Sequence, residues 1–205
     1  MRTILLTLCL FMGTILCAQN NVLIEIENAN AAYKVITGDF VRTQTNVAKG
    51  TSIKADGTLY IVGEDQMAQY YKAPSTDLLI INGNDFYMIR GKKTNKFNTE
   101  KNKPMRSLRN TLLYCVHGKP MELATENGAE ITAEKKENEY EVVLISTKKT
   151  ARGYAKIVLT YDLKSKLLTK MRMDEYNGNS TLYEMNNLKT NGNIDAKVFD
   201  IPEKK

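Results

Sequence analysis

The hydrophobic period of the chain changes along its length, and the changes outline its elements. Over residues 20–37, NNVLIEIENANAAYKVIT, Val22, Ile26, Ala29, Tyr33 and Ile36 recur at steps of four, three, four and three, which is one face of a helix. Gly38 is placed to end it. From Asp39 the period becomes two, and DFVRTQT reads as the first strand. GTLYIV (57–62) and MAQYYK (67–72) follow as strands. The stretch KAPSTDLLIINGNDFYMI (72–89) then holds two apolar runs, DLLII and FYMI, joined by Asn82-Gly83, a strong hairpin signal.

Strands pause at Gly91, and KKTNKFNTEKNK (92–103) reads as a polar, mobile loop. Pro104 suits the first turn of a second helix. There Met105, Leu108, Leu112 and Cys115 recur at three, four and three, and Gly118 and Pro120 close the segment. Strands resume with EYEVVLIS (139–146), GYAKIVLTYD (153–162), KLLTKMRMDE (166–175) and STLYEMNNL (180–188), with turns at DLKSK and Asn177-Gly178. IDAKVFDIP ends the pattern in a short strand and Pro202. The expected fold class is α+β and mainly antiparallel β: about ten strands in sequence with two helices, curled into an open barrel or strongly curved sheet.

The first eighteen residues stand outside this pattern. Arg2, an apolar core from Ile4 to Leu16 and a small residue at Ala18 read as a secretory signal peptide cut between Ala18 and Gln19. Leu8 before Cys9 and Leu16 before Cys17 argue against a lipid-anchored product, since that cut requires a small residue there. Residues 19–205 are then a single exported domain. Losing Arg2 lowers the formal charge from +6 to +5, and losing Cys9 and Cys17 leaves Cys115 alone, so no internal disulfide forms and the core must hold the fold. Basic and acidic residues are interspersed, as in KKENE (135–139), which disfavours a nucleic-acid footprint.

Candidate chemistry is sparse. His117 is the one histidine, and it lies at a helix end where a partly charged imidazole suits the helix dipole. Cys115, among Leu112 and Val116, reads as a small buried hydrophobe. No metal-ligand spacing or phosphate-cradling glycine loop occurs, and Asp85, Asp162, Asp174 and Glu175 fall near turns or strand ends, where acids are solvated. No enzyme, cofactor or metal site is expected. What is unusual is the soft apolar content: after the signal there is no tryptophan, but there are Met67, Met88, Met105, Met121, Met171, Met173 and Met185. On the strand period Met171 shares a face with Met173, Tyr183 with Met185, Phe86 with Met88, and Ile157 with Leu159. Methionine is flexible and polarisable, and adaptable apolar surfaces use it.

The order of motifs resembles a known family. It runs from Asp39-Phe40-Val41-Arg42-Thr43-Gln44 through Gly57-Thr58-Leu59-Tyr60-Ile61 and Ala73-Pro74 to LLIINGNDFY and the terminal LKTNGNIDAKVFDIP. This is similar to the LolA-like periplasmic carriers of outer-membrane lipoproteins. The resemblance implies an incomplete antiparallel barrel whose helices lie over the concave face as a lid, 104–117 among them. Lipoprotein acyl chains sit in the cavity between. Phe40, Leu59, Ile61, Phe86, Met88, Leu108, Leu112, Ile157, Leu159, Met171, Met173, Tyr183 and Met185 are the candidate lining. The implied partners are acylated lipoproteins or lipid, an inner-membrane donor complex and an outer-membrane acceptor, met in the periplasm by a monomer. Two positions depart from the family pattern. Gly63-Glu64 stands where the carriers have the Arg-Pro pair that helps hold the lid closed, and Gln69 stands where they have a tryptophan. A lipid-sensing regulatory or scaffold module on the same fold is the alternative, and an envelope hydrolase a further one.

Overall fold

A computed structural model describes residues 21–75, 77–148 and 153–201. The expected signal segment with its cut after Ala18, and the terminal Pro202, lie outside the described residues. The described chain opens in a helix, 21–31 (α1). Six strands follow: β1 (Val35–Asn46), β2 (Thr51–Val62), β3 (Gln66–Tyr71), β4 (Leu78–Asn82), β5 (Asp85–Arg90) and β6 (Lys93–Asn98). Two helices, α2 (Lys103–Val116) and α3 (Pro120–Asn127), lead to β7 (Ala129–Lys135), β8 (Glu139–Ser146), β9 (Tyr154–Asp162), β10 (Leu168–Glu175) and β11 (Ser180–Thr190). A 3-10 turn at Ala196–Phe199 closes the fold.

All the strands join one antiparallel sheet in the order β6-β5-β4-β3-β2-β1-β11-β10-β9-β8-β7. It is two meanders sewn together by one long-range pair, β1 with β11, in which Phe40 faces Met185. The two edges, β6 and β7, do not pair with each other among the described residues, so the sheet is open. It matches the open, curved LolA-like architecture that the sequence led us to expect. α1, α2 and α3 pack on one face, where Leu23, Ile26, Leu112, Leu113, Val116 and Leu123 join the apolar side chains of both meanders.

Several elements differ from their sequence reading. The first helix stops at residue 31 rather than 37, and Ile36 lies in β1. Val35-Ile36-Thr37 is a β-branched run, stiff at χ1 and better placed in a strand. Gly38 is therefore no helix cap; it sits beside a bulge between Thr37 and Asp39. KKTNKFNTEKNK is not a loop: Lys93–Asn98 pairs with β5, from Arg90 opposite Lys93 to Asp85 opposite Asn98. Its lysines and asparagines suit an edge strand, where charge discourages further pairing. β7, unread in the sequence, is the opposite edge and is likewise mostly exposed. Pro120 does not simply close α2; it starts α3 at that helix's first turn.

The hairpin at 78–90 is apolar on both faces, for two reasons. Leu79, Ile81 and Phe86 face the helices, whereas Leu78, Ile80, Tyr87 and Ile89 pack on the other side against Phe199. The C-terminal segment, expected as a strand, is the 3-10 turn that supplies this Phe199, with the Asp195 carboxylate accepting from Lys197 N at 2.9 Å. Asn82 pairs with Asp85, so the turn residues are Gly83 and Asn84, one position beyond the predicted Asn-Gly. Gly83 takes a φ of +57°, which glycine adopts at little cost.

Candidate functional site

Period-two alternation assembles the helix-covered face strand by strand. Phe40 of β1 lies opposite Gly57 of β2 and Met185 of β11. A Cβ at Gly57 would meet the Tyr70 carbonyl oxygen at 2.1 Å and the Phe40 ring at 2.8 Å, so the glycine is what lets this ring lie across the strand. Met171 sits between Leu159 and Tyr183, and Met173 faces Ile157. Leu59, Ile61, Phe86 and Leu112 are fully buried in the same cluster. Met88 and Leu108 pack against it while remaining partly exposed. All the predicted lining residues thus meet in one apolar body. Met67, Tyr71, Leu79, Ile81, Tyr140, Leu144 and Tyr161 belong to it too, and the sequence reading passed over them. The strand period carried their signal, since Leu79 and Ile81 alternate in register with Phe86 and Met88.

The two ends of this face differ. Near the C-terminus of α2, the residues Ile36, Leu59, Ile61, Val116, Leu168 and Met185 surround a void of only about 10 Å³. Polar ties bind the helices there. Tyr161 OH donates to the Cys115 carbonyl at 2.9 Å, Asn30 Nδ2 to the Lys166 carbonyl at 2.7 Å, and Tyr33 OH to the Ser165 carbonyl at 2.9 Å. At the opposite end, under the first turns of α2, a cleft of about 270 Å³ opens between Lys103 and Ser107 of the helix and Leu144, Tyr154 and Ile157 of the sheet. That is close to the lower bound of ordinary ligand pockets, about 300 Å³.

The two departures from the carrier pattern have structural consequences. Gly63 turns the chain between β2 and β3, and Glu64 accepts from Lys119 Nζ at 2.8 Å, tying this turn to the junction of α2 and α3. α2 is also held to the sheet by arginines: Arg109 Nε donates to the Gly83 carbonyl at 2.7 Å and Arg106 Nε to the Thr99 carbonyl at 3.0 Å. Gln69 is buried on the helix-covered face, where Tyr71 OH donates to its Oε1 at 3.4 Å. Arg42, two residues after Phe40, shares this face, with its guanidinium 4.6 Å from the centre of the Tyr71 ring. Burial pushes the Tyr71 hydroxyl well above its usual range.

Reactive groups are accounted for by packing. Cys115 is buried, and desolvation drives its thiol far up, away from the thiolate a nucleophile needs. His117 caps α2 through its backbone N–H, and burial first, then Lys119, lowers the pKa of its imidazole, against the partly charged form expected from the helix dipole. Asp85 pairs with Lys96 at 2.8 Å, Asp174 with Arg172 at 2.9 Å, and Asp162 accepts from Ser165 N at 2.7 Å, as befits acids at turns and strand ends. Among the described residues no cluster of three or more His, Cys, Asp or Glu side chains is placed to hold a metal ion.

Comparisons with known proteins agree with this geometry. No curated protein sequence matches the chain. Among solved structures, an uncharacterised conserved protein from Thermus thermophilus is similar in fold, at 9% identity and a TM-score of 0.53, over 88% of this chain and 93% of that one. MucB is similar at 13% identity and a TM-score of 0.50, over 92% of this chain and 64% of MucB. A LolA superfamily protein from Nitrosomonas europaea aligns over 89% of this chain and 97% of its own at 8% identity, with a TM-score of 0.44. At such identities the first two likenesses speak of fold alone, and no argument rests on the third. The family model described as outer membrane lipoprotein carrier protein LolA matches residues 31–202, from the end of α1 through both meanders to the C-terminal segment, and the chain belongs to this family as a divergent member.

Proposed function

We propose that the protein is an exported, non-enzymatic carrier that holds the acyl chains of lipoproteins between its helices and the sheet and moves them across the periplasm toward the outer membrane. The carrying observation is the single apolar body formed by both meanders and the helices, with one end sealed and the other opening into a cleft. Phe40, Leu59, Ile61, Phe86, Met88, Leu108, Leu112, Ile157, Leu159, Met171, Met173, Tyr183 and Met185 are the lining in this reading. Burying an acyl chain is worth about 0.8 kcal/mol per CH₂, so cargo competes with the lid side chains for the same surface. The methionines suit chains of variable length because they repack without fixed rotamers. The leader 1–18, removed on export, fits this location, and 19–205 acts as one domain.

The test is native mass spectrometry, with lipid extraction, of the mature protein purified from its own cell envelope. Co-purifying acylated lipoprotein or its diacyl and triacyl fragments is the expected result. A protein that emerges free of lipid and does not bind added triacylated peptides contradicts the carrier reading.

A further inference from the structure

One charged side chain on the apolar face has no counterpart in this account. Arg42 follows Phe40 by two on β1 and lies opposite Tyr183 on one side and Ala55 on the other. Its guanidinium stacks on Tyr71, whose ring is in turn held edge-on by Phe40 at 5.0 Å. Its Nε is buried and without a hydrogen-bond partner among the described residues. No carboxylate of those residues forms an ion pair with it; the acid of the adjoining recess, Asp77, reaches instead toward Arg90, at 3.9 Å. Stacking on an aromatic ring stabilises a guanidinium but satisfies none of its N–H groups. Arg42 is partly buried, and its Nε is the buried donor left unpaired; such a donor costs free energy that an arriving partner would recover.

The surroundings say what kind. The recess beside Arg42 is walled by Leu79 and Met88 on the apolar side and by Arg90 at the rim. It lies at the same end of the sheet as the cleft, following the register from β1 through β11 and β10 to the start of β9, though the two share no lining residue. A guanidinium presents a planar fork that matches carboxylate and phosphate, and charge-assisted bonds to such anions are stronger than bonds to neutral carbonyls. We propose that Arg42 is the anion-recognition group at the mouth of the apolar chamber, and that its ligand is an amphiphile with an acyl chain and a carboxylate or phosphate head. The chain lies inward along Phe40 and Met88, and the head is held by Arg42, while Arg90 at the rim offsets the negative charge of Asp77. This inference rests on the carrier reading and narrows its cargo.

The experiment uses the full mature chain and cis-parinaric acid, a fluorescent fatty acid, beside its methyl ester, on the wild type, Arg42→Met and Arg42→Lys. The acid binds the wild type roughly tenfold or more tightly than the ester, as a charge-assisted bond predicts. Arg42→Met brings the acid down to the level of the ester and leaves the ester unchanged, and Arg42→Lys keeps a preference for the acid. Retained ester binding shows that the Met variant is folded. Equal affinities in the wild type, or a preference that survives Arg42→Met, overturns the assignment. Dodecyl phosphate displaces the acid while millimolar inorganic phosphate does not; equal displacement by both would make this a free-anion site and overturn the amphiphile. A triacylated cysteinyl peptide separates the two levels. If it binds wild type and Arg42→Met alike while the acid shows no advantage, the inference fails and the carrier stands. If no acyl probe binds at all, both fail.

Discussion

The two ends of the helix-covered face both present apolar side chains, but one is wholly apolar and tightly closed while the other mixes them with Lys103, Ser107, Asn127 and Lys156 and stays open. Around Leu59, Ile61, Val116 and Met185 the side chains close on a void of about 10 Å³, and buried hydrogen bonds fasten α1 and α2 to the β9–β10 turn. Around Leu144, Tyr154 and Ile157 the same sheet leaves about 270 Å³ beneath the start of α2. Apolar composition alone therefore does not mark a binding chamber. What marks it is where close packing stops. α2 is close-packed on the sheet at its C-terminal end, whereas its first half is held by the Arg106 and Arg109 hydrogen bonds and leaves a cleft beneath its start.

Substitutions sharpen or break this contrast. The largest effect is expected at the sealed end: Leu59→Ala should cost about 2–5 kcal/mol of stability, read from denaturant unfolding. At Met88 of β5, partly exposed beside the Arg42 recess, Met88→Ala should cost about 1 kcal/mol, because such a side chain forfeits only part of its burial, while acyl-peptide affinity falls. Equal stability losses at the two sites would erase the distinction. A pH effect follows from His117 at the end of α2. Burial, with Lys119, holds its folded pKa below the ordinary 6.5, so the unfolded chain takes up the proton first as pH falls. Stability should be at its full value above that pH and decline beneath it, and His117→Gln should flatten the decline in thermal melts at pH 5–7. The smallest effect belongs to Glu64→Ala. Its carboxylate is 80% exposed although Lys119 holds it at 2.8 Å, so the loss should stay within about 1 kcal/mol.

Much of this fold was legible in the sequence, and the misses have physical causes. Strands with one buried face, such as β9 and β10, announced themselves by alternation, and α2 by its apolar stripe opening at Pro104. The edge strand β6 did not, because its lysines and asparagines fall on both faces; β7 does alternate, but two of its three inward residues, Ala129 and Ala133, are small and make the contrast faint. The end of α1 was misplaced because Tyr33 and Ile36 continue a helical spacing while pairing partners 150 residues away claim Ile36 for β1, opposite Thr190. That same long-range pairing, β1 with β11, sets Phe40 against Met185, and no local pattern encodes it. That the candidate lining residues share one apolar body was readable residue by residue, since each sits on the apolar side of its own strand or helix. Which end of the set stays open was not readable, because it depends on how α2 lies over strands far away in sequence. Arg42 was visible in the alternation from Phe40, but its orphaned Nε appears only in three dimensions.

The central claim, that acyl chains lie between the helices and the sheet, is tested most directly by photo-crosslinking. A triacylated peptide carrying a diazirine in its acyl chains is bound to the mature protein, irradiated and mapped by mass spectrometry. The account predicts adducts on Ile157, Met173, Tyr183, Met88 and Leu108, all on or against the helix-covered face. Adducts gathered instead on Ile80, Tyr87 and Phe199 of the opposite face would contradict it, as would no adduct at all.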